Sequence, residues 1–174
     1  MPRLFSIKPG LSVKGRKFKG LRGFAGKPFH PPLTDFPVAA YVFAMVFDVV
    51  SAVAGDDSTV GRDFFVSATH VLIAGAVVSL PTALTGFWDW WKSTPRGTQA
   101  WRTANWHMAV MVAVTVLVLV DIAVRLGQWD DGATGPVPLV LSVLVGTLVA
   151  YGAIYGGALV YEYGFNVETS GDHP

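Results

Sequence analysis

Three ionisable residues interrupt otherwise apolar runs at matching depths: Asp48, His70 and Asp121. An ionisable group inside a bilayer is costly, so each is a functional candidate. Asp48 lies six residues before the end of one run, His70 six residues into the next, and Asp121 five residues before the end of a third. At the rise of an α-helix, all three fall about 8–9 Å below the same surface. Two carboxylates and an imidazole at one level suit a proton relay, a contact to a quinone or a metal site. Each also has a structural reading. Asp121 can pair with Arg125 one turn later and reach outward with it. Asp48 and His70 can neutralise each other inside a bundle.

A second set lies at the opposite ends of these runs: His30, Asp35, Asp89, His107 and Glu162. Two imidazoles with carboxylates suit iron, zinc or manganese, which would make His30, Asp89, His107 and Glu162 a metal set. Two imidazoles alone suit haem b, held by His30 and His107. The structural reading is solvation at helix ends, with Asp35 capping the first helix. His70 and His107 sit near opposite surfaces, roughly 20 Å apart by helix rise, and cannot share one haem. His173 lies in a polar C-terminal stretch read as solvated. The chain has no cysteine. That excludes disulfides, iron–sulfur clusters and covalently attached c-type haem. No GxSxG, HExxH, Walker or GxGxxG pattern is present to suggest hydrolysis or nucleotide binding.

Four long runs must position these groups: Phe36–Ala54, Phe64–Phe87, Trp106–Leu126 and Val137–Val160. Hydrophobic residues make up 52% of the chain and charged residues 14%, too few charges to cover a water-facing surface. Each run reaches the roughly 20 residues that cross about 30 Å of hydrocarbon as a helix. Runs this long and this uniformly apolar are not barrel strands, and in lipid they satisfy their backbone only as helices. The fold expected is all-α, a four-helix transmembrane bundle running up-down-up-down, with connections at Gly55–Ser58, Ser93–Gly97 and Gly127–Pro138. Pro81 is expected to kink the second helix. Gly152 with Gly156, and Ser79 with Ala83, are pairs that permit close helix approach, within one chain or between subunits. The domain plan is a basic tail over 1–29, a membrane domain over 30–163 and a polar tail over 164–174.

Eight of the thirteen Lys and Arg lie in the first 27 residues, among five glycines that oppose a stable helix. No signal-peptide pattern is visible, so the first helix is expected to act as an uncleaved anchor. The tail and the second connection share eleven Lys and Arg, whereas the other side has only Arg62 and Arg125 beside five aspartates. The positive-inside rule therefore places both termini in the cytoplasm. The expected location is a bacterial cell membrane. Five of the six Trp cluster about the second connection as an interfacial belt. The near-zero net charge gives no field that would attract nucleic acid.

Several phrases together resemble the DUF2231 family of uncharacterised membrane proteins. They are His30-Pro31-Pro32-Leu33-Thr34-Asp35-Phe36-Pro37, then Asp48, then Thr85-Gly86-Phe87-Trp88-Asp89-Trp90, then His107, and finally Gly156-Gly157-Ala158-Leu159-Val160-Tyr161-Glu162-Tyr163-Gly164. They occur in order across roughly residues 30–167. The resemblance implies a four-helix membrane domain. Fusions of family members to Rieske or cytochrome c domains imply work near electron transfer. The family's usual second opening histidine is Asp35 here. The function expected is a small membrane subunit of an electron-transfer system, anchoring a larger redox complex or handling quinone, haem or protons. The alternatives are an accessory subunit without chemistry that docks through the basic tail, and an oligomeric transporter or channel for a metal ion or proton.

Overall fold

The computed structural model describes residues 29–165. The basic tail up to Pro28, and the polar tail from residue 166 on with His173, fall outside the described residues. Four helices form the domain: α1 (His30–Ala54), α2 (Thr59–Ser93), α3 (Gln99–Gly127) and α4 (Pro136–Tyr161). All four are long and apolar enough to cross a membrane. The protein is therefore an integral membrane bundle, as the apolar runs predict. The end holding Phe29, the α2–α3 connection and Phe165 is termed inner, and the opposite end outer.

The helices are longer than the apolar runs, and the excess lies mainly at the inner end. At 35 residues, α2 measures about 52 Å, well beyond the hydrocarbon core. Its last turns carry Trp88, Trp90, Trp91 and Lys92, with Lys92 Nζ 4.1 Å from the Trp91 ring centre. Such residues continue a helix comfortably through the headgroup layer. His30 is consequently the first residue of α1, not a residue preceding it. Asp89 lies inside α2, and His107 lies inside α3 rather than opening it. Asp35 does not cap α1, because it is exposed within the helix, whose N-cap position is Phe29 with no side-chain cap. Thr98 caps α3, accepting from the Trp101 N–H at 3.2 Å. The helix assignment of α2 runs unbroken through Pro81.

Each helix packs on its chain neighbours, and α1 also packs on α4, which closes the ring. Among the described residues, α1 and α3 face each other diagonally without close backbone approach, as do α2 and α4. Small residues set the tight seams. On α2 the close contact is at Gly75: a Cβ there would lie 2.8 Å from the Ala40 Cβ and 2.8 Å from Tyr41 Cε1. Ala83, expected to join Ser79 in a packing face, is exposed instead. The Gly152–Gly156 pair serves packing within the chain, against Val110, Met111 and His107 of α3. Gly75→Ala should destabilise by about 1–3 kcal/mol, because the opposing atoms include a Cβ that cannot rotate away. Denaturant unfolding in micelles measures it. Past α4, Gly164 at φ +64° turns the chain so that the Phe165 N–H reaches the Leu159 carbonyl at 2.8 Å and the Phe165 ring packs on Ala104 and Leu159.

The bundle interior is layered. Tyr41, Ala44, Leu72, Val114, Val118, Val145 and Val149 form an apolar middle contributed by all four helices. Buried polar groups lie on either side: Thr82, Asp89, Thr94 and Thr103 toward the inner end, and Asp48, Ser51, Thr69, Asp121, Arg125, Thr134 and Ser142 toward the outer end. From His107 to Asp121 along α3 is about 21 Å by helix rise.

Candidate functional site

At the inner end, His30 of α1 and His107 of α3 meet across the bundle diagonal. Their ring centres are 6.4 Å apart and the rings stand at 76° to each other. Each ring is held by its Nδ1. His30 Nδ1 lies 2.9 Å from the Thr82 carbonyl, and His107 Nδ1 lies 2.9 Å from the Gly152 carbonyl. A carbonyl only accepts, so each Nδ1 carries the hydrogen and each neutral ring presents its lone pair at Nε2. Neither Nε2 makes a hydrogen bond among the described residues. A backbone carbonyl on Nδ1 is also the usual outer-shell support of a metal-ligating imidazole.

Two glycines seat these rings. A Cβ on Gly86 would lie 2.6 Å from His30 Cε1, and one on Gly156 would lie 3.2 Å from His107 Cε1. Even a methyl group at position 86 must displace the His30 ring. Gly86→Ala should therefore weaken ligand binding at the pair by about 10–100-fold, the range seen when an outer-shell support is lost. A ligand titration monitored by absorbance reads this directly. Asp89 is buried and close enough to His30 to act on it electrostatically. Glu162 stands at the C-cap of α4, half-buried. Among the described residues, no group of three or more His, Asp or Glu is gathered for a metal ion. Of the four expected metal ligands, the structure thus pairs the two histidines.

At the outer end, Arg125 is 0% exposed and binds two carboxylates from different helices. Its Nε donates to Asp121 Oδ1 at 2.8 Å, and its Nη1 to Asp48 Oδ1 at 2.9 Å. Its Nη2 donates to the second oxygen of each carboxylate, at 2.5 Å for Asp48 and 3.3 Å for Asp121. Thr134, in the α3–α4 connection, donates its hydroxyl to Asp48 Oδ1 at 2.9 Å and its backbone N–H to Ser51 Oγ at 2.9 Å. Ser51 in turn donates to the Gly61 carbonyl at 2.6 Å. One guanidinium therefore ties α1 to α3, and Ser51 and Thr134 extend the network to α2 and the last connection.

This geometry keeps part of the expected outer set and changes the rest. Asp48 and Asp121 do lie at one level, and the Asp121–Arg125 pair one turn apart is present. The pair does not reach outward, since all three charged groups are fully buried. Asp48 does not pair with His70. His70 is exposed, with Nδ1 2.8 Å from the Val66 carbonyl and its ring edge-on to Trp129 at 5.7 Å. The reason is positional: Thr69 faces the core, and the next residue is turned about 100° away from it. Arg125 was read from the sequence as a charge of the outer surface. Its signal was there in the spacing Val110, Val114, Val118, Asp121, Arg125, which is one continuous helix face. Once Arg125 leaves the surface count, Arg62 is, among the described residues, the one outer basic residue against Lys92, Arg96 and Arg102 toward the inner end. Arg62 itself donates to the carbonyls of Trp129 and Asp131.

The sequence pattern of a family described as "Predicted membrane protein (DUF2231)" matches residues 26–169. The chain belongs to the DUF2231 family. No curated protein and no solved structure matches it. Asp48 aside, the four phrases quoted above, scattered along the sequence, converge on the histidine pair. The first supplies His30. The second supplies Gly86, on which His30 sits, together with Asp89 and Trp90, whose Nε1 donates to Asn105 Oδ1 at 2.7 Å. The third is His107 itself, and the fourth supplies Gly156, which seats it. The DUF2231 aspartate of the first helix, Asp48, belongs to the separate arginine network.

Proposed function

We propose that the protein is a small membrane subunit of an electron-transfer system in which His30 and His107 hold a haem b iron. The observation that carries this reading is the pair of diagonal imidazoles, each with Nδ1 given to a backbone carbonyl and Nε2 left free. Two imidazoles that each keep Nε2 free, with ring centres 6.4 Å apart, are a donor set that would hold a haem b iron. The donor chemistry thus fits a two-imidazole iron. A bound haem would supply one-electron transfer there. Asp89 is the neighbouring carboxylate that tunes or completes the site if a bare metal ion binds instead. The apolar layer between the two ends weighs against a polar path for ions through a single chain. The basic tail, expected on the cytoplasmic side, is the segment on which a larger redox complex would dock.

A reduced-minus-oxidised absorption spectrum of the purified protein, with iron content measured on the same sample, tests the reading. Soret and α-band signals with one iron per chain are expected. A colourless, iron-free protein from haem-replete cells would sink it.

A further inference from the structure

We propose that the α3 face formed by Gln99, Thr103 and His107 carries a file of water that runs from the inner surface to the imidazole pair. The three side chains are spaced four apart and so follow one another along the same face. They span about 12 Å by helix rise, from the first residue of α3 to the pair. All three carry a polar atom without a hydrogen-bond partner among the described residues. Thr103 is 0% exposed and its hydroxyl makes no hydrogen bond. The Gln99 side-chain amide nitrogen is buried and likewise unpartnered. His107 has spent Nδ1 on Gly152 and retains Nε2.

Buried polar groups of this kind are almost always hydrogen-bonded, and a buried water needs two to four such partners. Thr103 can donate and accept, Gln99 can donate, and His107 Nε2 can accept, which is the set a water chain requires. The file stops where polar groups stop. Val110, Val114 and Val118 continue the same face as buried residues, the last two packed in the apolar layer. Water thus reaches the pair from the inner side, and the arginine network lies beyond the layer of Leu72, Val114, Val118, Val145 and Val149. The inference concerns water at Gln99 and Thr103 and does not need His107 Nε2, which an iron would occupy.

The chain contains no cysteine, so single-cysteine variants need no background removed. Val114 is the dry comparison, at 2% exposure against 0% for Thr103. Apolar burial keeps a thiol protonated, and only the thiolate reacts, so Thr103→Cys should lose its thiol to silver ion about tenfold faster, or more, than Val114→Cys in lipid nanodiscs. Gln99→Cys should be fast as well. Equal, slow rates at Thr103 and Val114 would overturn the proposal. A second measurement needs no variant: magnetisation transfer from water to the Thr103 methyl group, with the Val114 and Val118 methyls as silent references. A Thr103 methyl as silent as the valines refutes the file, even should the cysteine variants fail to fold. Both results are independent of haem. A red protein with a dry Thr103 would retain the ligand reading and lose this one, and a colourless protein with a wet Thr103 the reverse.

Discussion

Arg125→Met should cost the fold about 3–5 kcal/mol, the penalty for removing one partner of a buried ion pair. The magnitude comes from what is left behind. Two carboxylates, fully buried and close together, lose the guanidinium that supplies most of their hydrogen bonds. Unfolding in micelles, followed by Trp fluorescence, reads the loss. Arg125→Lys should fall between wild type and Arg125→Met, because an ammonium is a point charge and cannot bridge both carboxylates with a planar fork. Adding Asp48→Asn and Asp121→Asn to Arg125→Met should recover several kcal/mol of the loss, since no uncompensated charge then remains. If Arg125→Met unfolds within about 1 kcal/mol of wild type, the network is not the clasp of the outer end described above.

The second large effect is expected at the other end. His107→Ala and His30→Ala should each abolish the haem spectrum, a loss greater than the about 10–100-fold change that follows removal of an outer-shell support. The two variants should behave alike, because each ring offers one Nε2 and neither can substitute for the other across the diagonal. Asp48→Asn, in the arginine network, should leave the spectrum unchanged in whatever fraction remains folded. Titration of each purified variant with haemin, monitored at the Soret band, separates these outcomes. An unaltered spectrum in either histidine variant would remove that histidine from the site.

These two predictions address regions that do not touch. The apolar layer of Tyr41, Ala44, Leu72 and the valines of α3 and α4 stands between them. Such a layer suits a subunit that holds a cofactor near one surface. A conduit would need a continuous row of polar groups through the middle of the bundle, where Tyr41 is the one hydroxyl among buried valine, leucine and alanine.

Much of this was legible along the chain. Four apolar runs of helix-spanning length, broken by Gly55–Ser58, the Pro95–Gly97 turn and the Gly127–Pro138 stretch, dictate four membrane helices, because hydrocarbon leaves the backbone no other way to pair. Depth was legible too. Counting residues from the run ends placed Asp48 level with Asp121, since helix rise is constant, and put His30 and His107 near the same surface. What could not be read was azimuth and partner choice. His70 stands at the right depth yet faces outward, and Arg125 stands near a loop yet faces the core. Thr82 and Gly152 become anchors only because α2 and α4 bring their carbonyls to rings on the other two helices. Gly86 and Gly156 are plain glycines until His30 and His107 lie against them. A run of hydropathy sets how deep a residue lies, through a one-dimensional rule of rise per residue. Which groups meet at that depth depends on the rotation and seam of each helix, which interlocking side chains settle only when all four are packed together.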